Sequence, residues 1–186
     1  MEMNEFIQNG LEDVEKVLDR TLDGLTPEEL RWQPRPDGKS IGFILFDSIR
    51  AEDHLIHRLR GKPQLWESEK WYQKFDKIID DNGTHYTQEQ GAAFVVPNLK
   101  ELLAYAEIVR KETLSYLKGL KPKDFDRKVN VPRPPAPVAI QAGSTTSPWP
   151  PFDPIVGSML IHLLTRFAER TGEISYMRGL QRGTDK

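Results

Sequence analysis

The first apolar positions of the chain fall at Ile7, Leu11, Val14, Leu18 and Leu22, in steps of three and four that draw one stripe along a helix. This spacing predicts a helix over about Asn4 to Leu25. Thr26-Pro27-Glu28-Glu29 follows with a capping hydroxyl, a proline at the first helical position and a glutamate three residues after the cap, which predicts a short helical turn. Pro34, Pro36 and Gly38 then break the chain. Ser40 caps a second long helix reaching Arg60, with Gly61 and Pro63 ending it and Ile41, Ile44, Leu45, Ile49, Ile56 and Leu59 on its buried faces. From Gly61 to Pro97 the pattern is irregular and predicts a long connection with one short helix. Asn98, with Glu101 three residues on, opens a third helix through Leu102, Ala106, Val109, Thr113 and Leu117 to Gly119.

Nine of the fourteen prolines lie between Pro122 and Pro154, which excludes a regular helix there and argues against a central strand. An extended loop over about 121–154 is expected. Asp153-Pro154 reads as a cap and first helical position of a fourth helix running through Val156, Met159, Leu160, Leu163, Phe167, Ile174 and Met177 to Gly179. Four long helices and no clear strand pattern predict an all-α protein, a four-helix bundle.

Composition narrows the class. A chain of 186 residues buries one sizeable core, so a single domain over residues 1–186 is expected. Apolar residues at 38% and charged residues at 29% are those of an ordinary globular protein. The formal net charge of -2, with no long basic run, speaks against a nucleic-acid partner. The absence of cysteine excludes disulfides, thiolate zinc sites, iron–sulfur clusters and a cysteine nucleophile, and favours a cytoplasmic location. Met1 to Gly10 is polar and acidic and does not read as a secretory signal. No apolar run approaches the ~20 residues of a membrane span. Phosphate-binding glycine loops, nucleophile elbows and the HExxH helix are likewise missing.

Candidate chemistry lies where charge interrupts the apolar pattern. Asp47 sits in the run Ile41-Gly42-Phe43-Ile44-Leu45-Phe46-Asp47-Ser48-Ile49, and a carboxylate in such surroundings either takes up a proton or finds a cation. The fourth helix offers two. Leu163, Phe167, Arg170, Ile174 and Met177 share one stripe, placing Arg170 where an apolar residue is expected. His162, Arg166 and Arg170 follow at i, i+4 and i+8, with Gly172 close by. If this strip faces Asp47, a planar guanidinium meets the carboxylate. The competing arrangements have the arginines reaching to solvent, or pairing with Glu169 and Glu173 on their own helix.

Among the remaining candidates, His54 lies two turns after Asp47. With His162 and Asp47 it makes either a displaced zinc-like set or a histidine bonded to a neighbouring carboxylate. His57 and His85 read as surface residues. Glu52 and Asp53 point about 100° apart and read as a solvated edge, so removing Asp53 is expected to cost much less than removing Asp47. Trp66, Trp71, Tyr72, Phe75 and Trp149 either line a pocket over the bundle end or belong to loops that pack their aromatics onto the bundle.

Ser40-Ile41-Gly42-Phe43-Ile44-Leu45-Phe46-Asp47, continuing to Arg50-Ala51-Glu52-Asp53-His54, resembles the second helix of the DinB-like superfamily, YfiT-type proteins included. That helix usually carries histidine where Asp47 stands. His162-Leu163-Leu164-Thr165-Arg166-Phe167-Ala168-Glu169-Arg170-Thr171-Gly172-Glu173-Ile174 is similar to the family's last helix, whose last two metal-binding histidines correspond to Arg166 and Arg170. Trp71-Tyr72-Gln73-Lys74-Phe75 and Leu102-Leu103-Ala104-Tyr105-Ala106 fit its middle region. The resemblance implies a bundle with a long crossover between the second and third helices. It also implies a nickel- or zinc-like ion in typical members, some of them thiol transferases and others presumed hydrolases.

Two function classes follow. In the first, the chain holds no metal or other cofactor, and Asp47, His54, His162, Arg166 and Arg170 line a pocket for a small anionic molecule. In the second, a metal-dependent thiol S-transferase or hydrolase survives on shifted ligands. Pairing of two helices with a second copy, giving a homodimer, is compatible with either.

Overall fold

The structure is a computed structural model that describes residues 2–81, 86–130 and 154–183. The apolar stripe of the first segment forms α1 (Met3–Leu22), burying Ile7, Leu11, Leu18 and Leu22. The helix stops three residues before the expected end. Thr26 opens α2 (Pro27–Arg31) with a reciprocal cap: its Oγ1 accepts from the Glu29 amide at 3.2 Å, and the Glu29 carboxylate accepts from the Thr26 amide at 2.8 Å. Ser40 Oγ accepts from the Phe43 amide to start α3 (Ile41–Arg60), and Gly61 ends it in the left-handed conformation at φ 64°, which glycine adopts without a Cβ penalty.

The connection after α3 is more structured than its irregular pattern suggests. It holds α4 (Leu65–Ser68), α5 (Trp71–Lys74) and α6 (Gln88–Ala92), where one short helix was expected. The reason is tertiary: Trp66, Trp71 and Phe75 are buried against Phe46, Phe94 and Tyr105, so these turns are held by packing rather than by propensity. These aromatics are core. Trp149 lies outside the described residues, as does His85.

Asn98 Oδ1 accepts from the Lys100 amide to open α7 (Leu99–Gly119). The proline-rich stretch begins with a 3₁₀ turn (Pro122–Asp126), and Val129 N–H reaches Pro154 O at 2.7 Å while Val156 N–H reaches Arg127 O at 3.0 Å. That bridge brings both ends of the loop together; residues 131–153 lie outside the described set. The last helix, α8 (Val156–Arg182), is capped at Ile155 rather than Asp153, with Ser158 Oγ accepting from the Ile155 amide. It also runs past Gly179, where an added side chain would meet open space.

The four long helices form a ring in which α1 packs on α8 and α7, and α3 packs on α7 and α8. Gly10 lies against Leu164, and Thr21 Oγ1 meets Ser175 Oγ at 3.0 Å, so α1 and α8 run parallel. Gly42 lies against Val96 just before α7, while Arg60 near the end of α3 bonds Glu112, so α3 and α7 run parallel too. Parallel neighbours need a connection that returns along the bundle, and residues 61–98 provide it. The core divides into one cluster around Phe46, Trp66, Tyr105 and Met177, and a second around Ile7, Leu11, Ile56 and Leu160. Phe167 packs against both, and charged residues gather at this waist.

Candidate functional site

Asp47 on α3 and Arg166 and Arg170 on α8 meet between the two helices. Arg166 Nη2 donates to Asp47 Oδ2 at 2.7 Å, and Arg170 Nη2 lies 3.4 Å from the same oxygen. Asp47 is almost closed off, its side chain 7% exposed, whereas the arginine side chains keep 30% and 24% of their surface in water. The arginine side chains are therefore partly solvated while the carboxylate they share is not. Arg170 also serves a second acid: its Nη1 donates to Glu173 Oε2 at 2.6 Å. Both of the pairings open from the sequence thus coexist at Arg170.

His162, one turn before Arg166, is half-buried, and burial together with the Arg166 charge lowers its pKa below the ordinary histidine value despite the opposing Glu169. His54 stands elsewhere. Its Nε2 lies 2.7 Å from Arg58 Nη2, and since a guanidinium only donates, this nitrogen is the acceptor. His54 lines a groove with Arg58, Lys62, Pro63, Gln64 and Glu67, apart from Asp47 and the two arginines. The lining of that groove includes none of Asp47, His162, Arg166 and Arg170. Among the described residues, no three histidine, aspartate or glutamate side chains gather as a metal-binding group, so His54, His162 and Asp47 do not form a displaced set.

Two charged clusters that the sequence left at the surface are buried. Asp53 is 0% exposed: its carboxylate accepts from the Leu65 and Trp66 amides, each at 3.0 Å, from Tyr105 Oη at 2.5 Å and from Arg50 Nη1 at 3.1 Å, with His57 Nδ1 at 2.7 Å. Burial opposes ionisation here, but the bonds from His57, Tyr105 and the two amides prevail and hold the Asp53 carboxyl below its usual pKa. Arg50 stacks on the Trp66 ring, 4.2 Å from its centroid, and donates to Asp81 O. His57 is buried in this network, not on the surface.

Glu52 points a different way, as adjacent helical residues must, and accepts from Arg110 Nη2 at 2.9 Å and Thr113 Oγ1 at 2.7 Å. Arg110 in turn lies over the Phe167 ring at 4.4 Å. Neither carboxylate belongs to a solvated edge. The spacing of Arg50, Asp53 and His57, three titratable residues at i, i+3 and i+7 on one face of α3, was the available signal.

Guanidinium stays protonated and only donates, so Arg166 and Arg170 enter this cluster as fixed cations and hydrogen-bond donors. The fold is an all-α bundle of four long helices. The sequence pattern of the DinB superfamily matches residues 11–145, and the chain belongs to that superfamily. A solved structure described as the conserved protein of locus from Enterococcus faecalis superposes with a TM-score of 0.75 at 23% identity, covering 97% of each chain, which bears on the fold alone. No curated protein matches the chain.

Proposed function

We propose that this chain is a DinB-superfamily domain that works without the family's metal and uses an Asp47, Arg166 and Arg170 cluster to bind a small anionic molecule. The observation that carries the reading is the convergence of both guanidiniums on one Asp47 oxygen. A divalent cation fits these residues poorly. Guanidinium has no lone pair to give, its positive charge repels the ion, and Asp47 alone offers an oxygen ligand. The two arginine side chains keep part of their surface in water, and a planar guanidinium suits a carboxylate or phosphate, which it receives with two parallel bonds. His162 stands beside this cluster; His54 is assigned to its own groove.

In this reading residues 1–186 act as one domain that includes the proline-rich loop of about 121–154, and nucleic acid is no partner. No helix of the described residues is long and apolar enough to cross a membrane. A cytoplasmic location and pairing with a second copy complete the proposal; light scattering of the purified chain tests the latter. A metal-dependent transferase or hydrolase with shifted ligands is disfavoured because His54 bonds Arg58 away from Asp47. Elemental analysis of the chain purified without a histidine tag decides between the two: metal well below one equivalent is expected, and one tightly held zinc or nickel per chain overturns the proposal.

A further inference from the structure

Arg170 divides its guanidinium between two acids that are held very differently. Asp47 is buried and shared with Arg166, whereas Glu173 sits one turn along α8 with its side chain 39% exposed. Removing the Glu173 contact therefore uncovers no buried charge. Arg166 Nε, also buried, has no hydrogen-bond partner among the described residues, so the cluster contains a donor that its own acids leave unused.

We propose that Glu173 is a built-in stand-in for the ligand: its carboxylate occupies the Arg170 edge that a ligand carboxylate takes, and binding displaces Glu173 into water. This rests on the anion-binding reading above and goes further, to the ligand's class and to the way the site is closed. Charge selects the class. Two guanidiniums against Asp47 and Glu173 make a neutral cluster. Once Glu173 turns outward a single positive charge remains, and one monocarboxylate restores neutrality while a dianionic phosphate overshoots it. The contact is autoinhibitory in the sense that the site's binding-competent form is populated only when Glu173 has left.

The full chain, labelled with ¹⁵N-arginine, tests this through the Nε–Hε resonances of Arg166 and Arg170 during titration with sodium acetate at constant ionic strength. Inorganic phosphate serves as the second probe. Wild type, Glu173→Gln and Glu169→Gln are compared after circular dichroism has shown equal helicity. The expected result is acetate binding about two- to five-fold tighter in Glu173→Gln, the factor that freeing one exposed helical ion pair gives, with Glu169→Gln equal to wild type. Binding in Glu173→Gln equal to or weaker than wild type overturns the displacement, as does the same gain in Glu169→Gln, which would reflect bulk charge. Preference for phosphate over acetate in Glu173→Gln overturns the monocarboxylate class. If neither probe moves either resonance in any of the three proteins, the anion-binding reading itself falls.

Discussion

Asp53 of α3 accepts a hydrogen bond from the Trp66 amide at 3.0 Å, so one buried carboxylate holds the first turn of α4 against the bundle. With Arg50 stacked on the Trp66 ring and Trp66 Nε1 donating to Ile79 O, this contact ties the crossover to the helix it leaves.

The ranking expected from the sequence is therefore reversed. Asp53→Ala strands the buried Arg50 and frees two amides, a loss of about 3–5 kcal/mol by the usual cost of breaking a buried pair. Asp47→Ala is expected to cost less, about 1–3 kcal/mol, because its arginines reach water and Arg170 retains Glu173. Urea denaturation followed by tryptophan fluorescence measures both. A larger loss for Asp47→Ala contradicts the assignment.

Acid should loosen the same contact. The folded Asp53 carboxyl titrates below its unfolded value of about 3.9, so the unfolded chain binds the proton first as pH falls. Its contribution is complete above the unfolded value and is lost as pH drops through the folded one. Asp53→Asn, less stable at neutral pH, should show a flatter decline in stability below about pH 4 than wild type. Equal slopes would remove Asp53 from the acid response.

His162 reports on the arginine cluster. Burial and Arg166 lower its pKa, so it should titrate below the ordinary histidine value in NMR spectra, and Arg166→Gln should move it upward. Because the folded chain resists protonation, His162 subtracts stability as pH falls below its unfolded value of about 6.5. An unchanged titration in Arg166→Gln would mean that Arg166 does not act on the ring.

Gly42 lets α3 approach the chain just before α7 closely. A Cβ there would overlap the Val96 methyls just before α7, so Gly42→Ala should destabilise by about 1–3 kcal/mol, the range for overpacking a close-packed interior. Gly172→Ala, facing open space in α8, should be neutral or stabilising, since alanine favours helix. Thermal unfolding of the two variants gives the comparison.

Much of the scaffold is legible in the sequence because it is written in short-range terms. The stripe from Ile7 to Leu22, the cap at Thr26, the Ser40 start and the Gly61 stop each depend on residues within one or two turns. Asp47 and Arg170 stand out on the same basis, as charges in apolar stripes. The crossover helices do not, because Trp66 and Trp71 find their partners on α3 and α7, far away in sequence. Asp53 and Glu52 were misplaced for a related reason: a helical wheel gives direction but not what stands opposite, and Tyr105, Arg110 and Thr113 stand opposite.

The sequence by itself determined four amphipathic helices, the caps at Ser40 and Asn98 and an isolated acid on one of them, all consequences of periodicity and local hydrogen bonding. Tertiary structure alone decided that Arg166 and Arg170 share one Asp47 oxygen, that Arg170 also serves Glu173, and that Asp53 is fully buried. Those outcomes depend on which helix faces which, and a charge is buried or solvated according to its neighbours across the bundle, not along the chain.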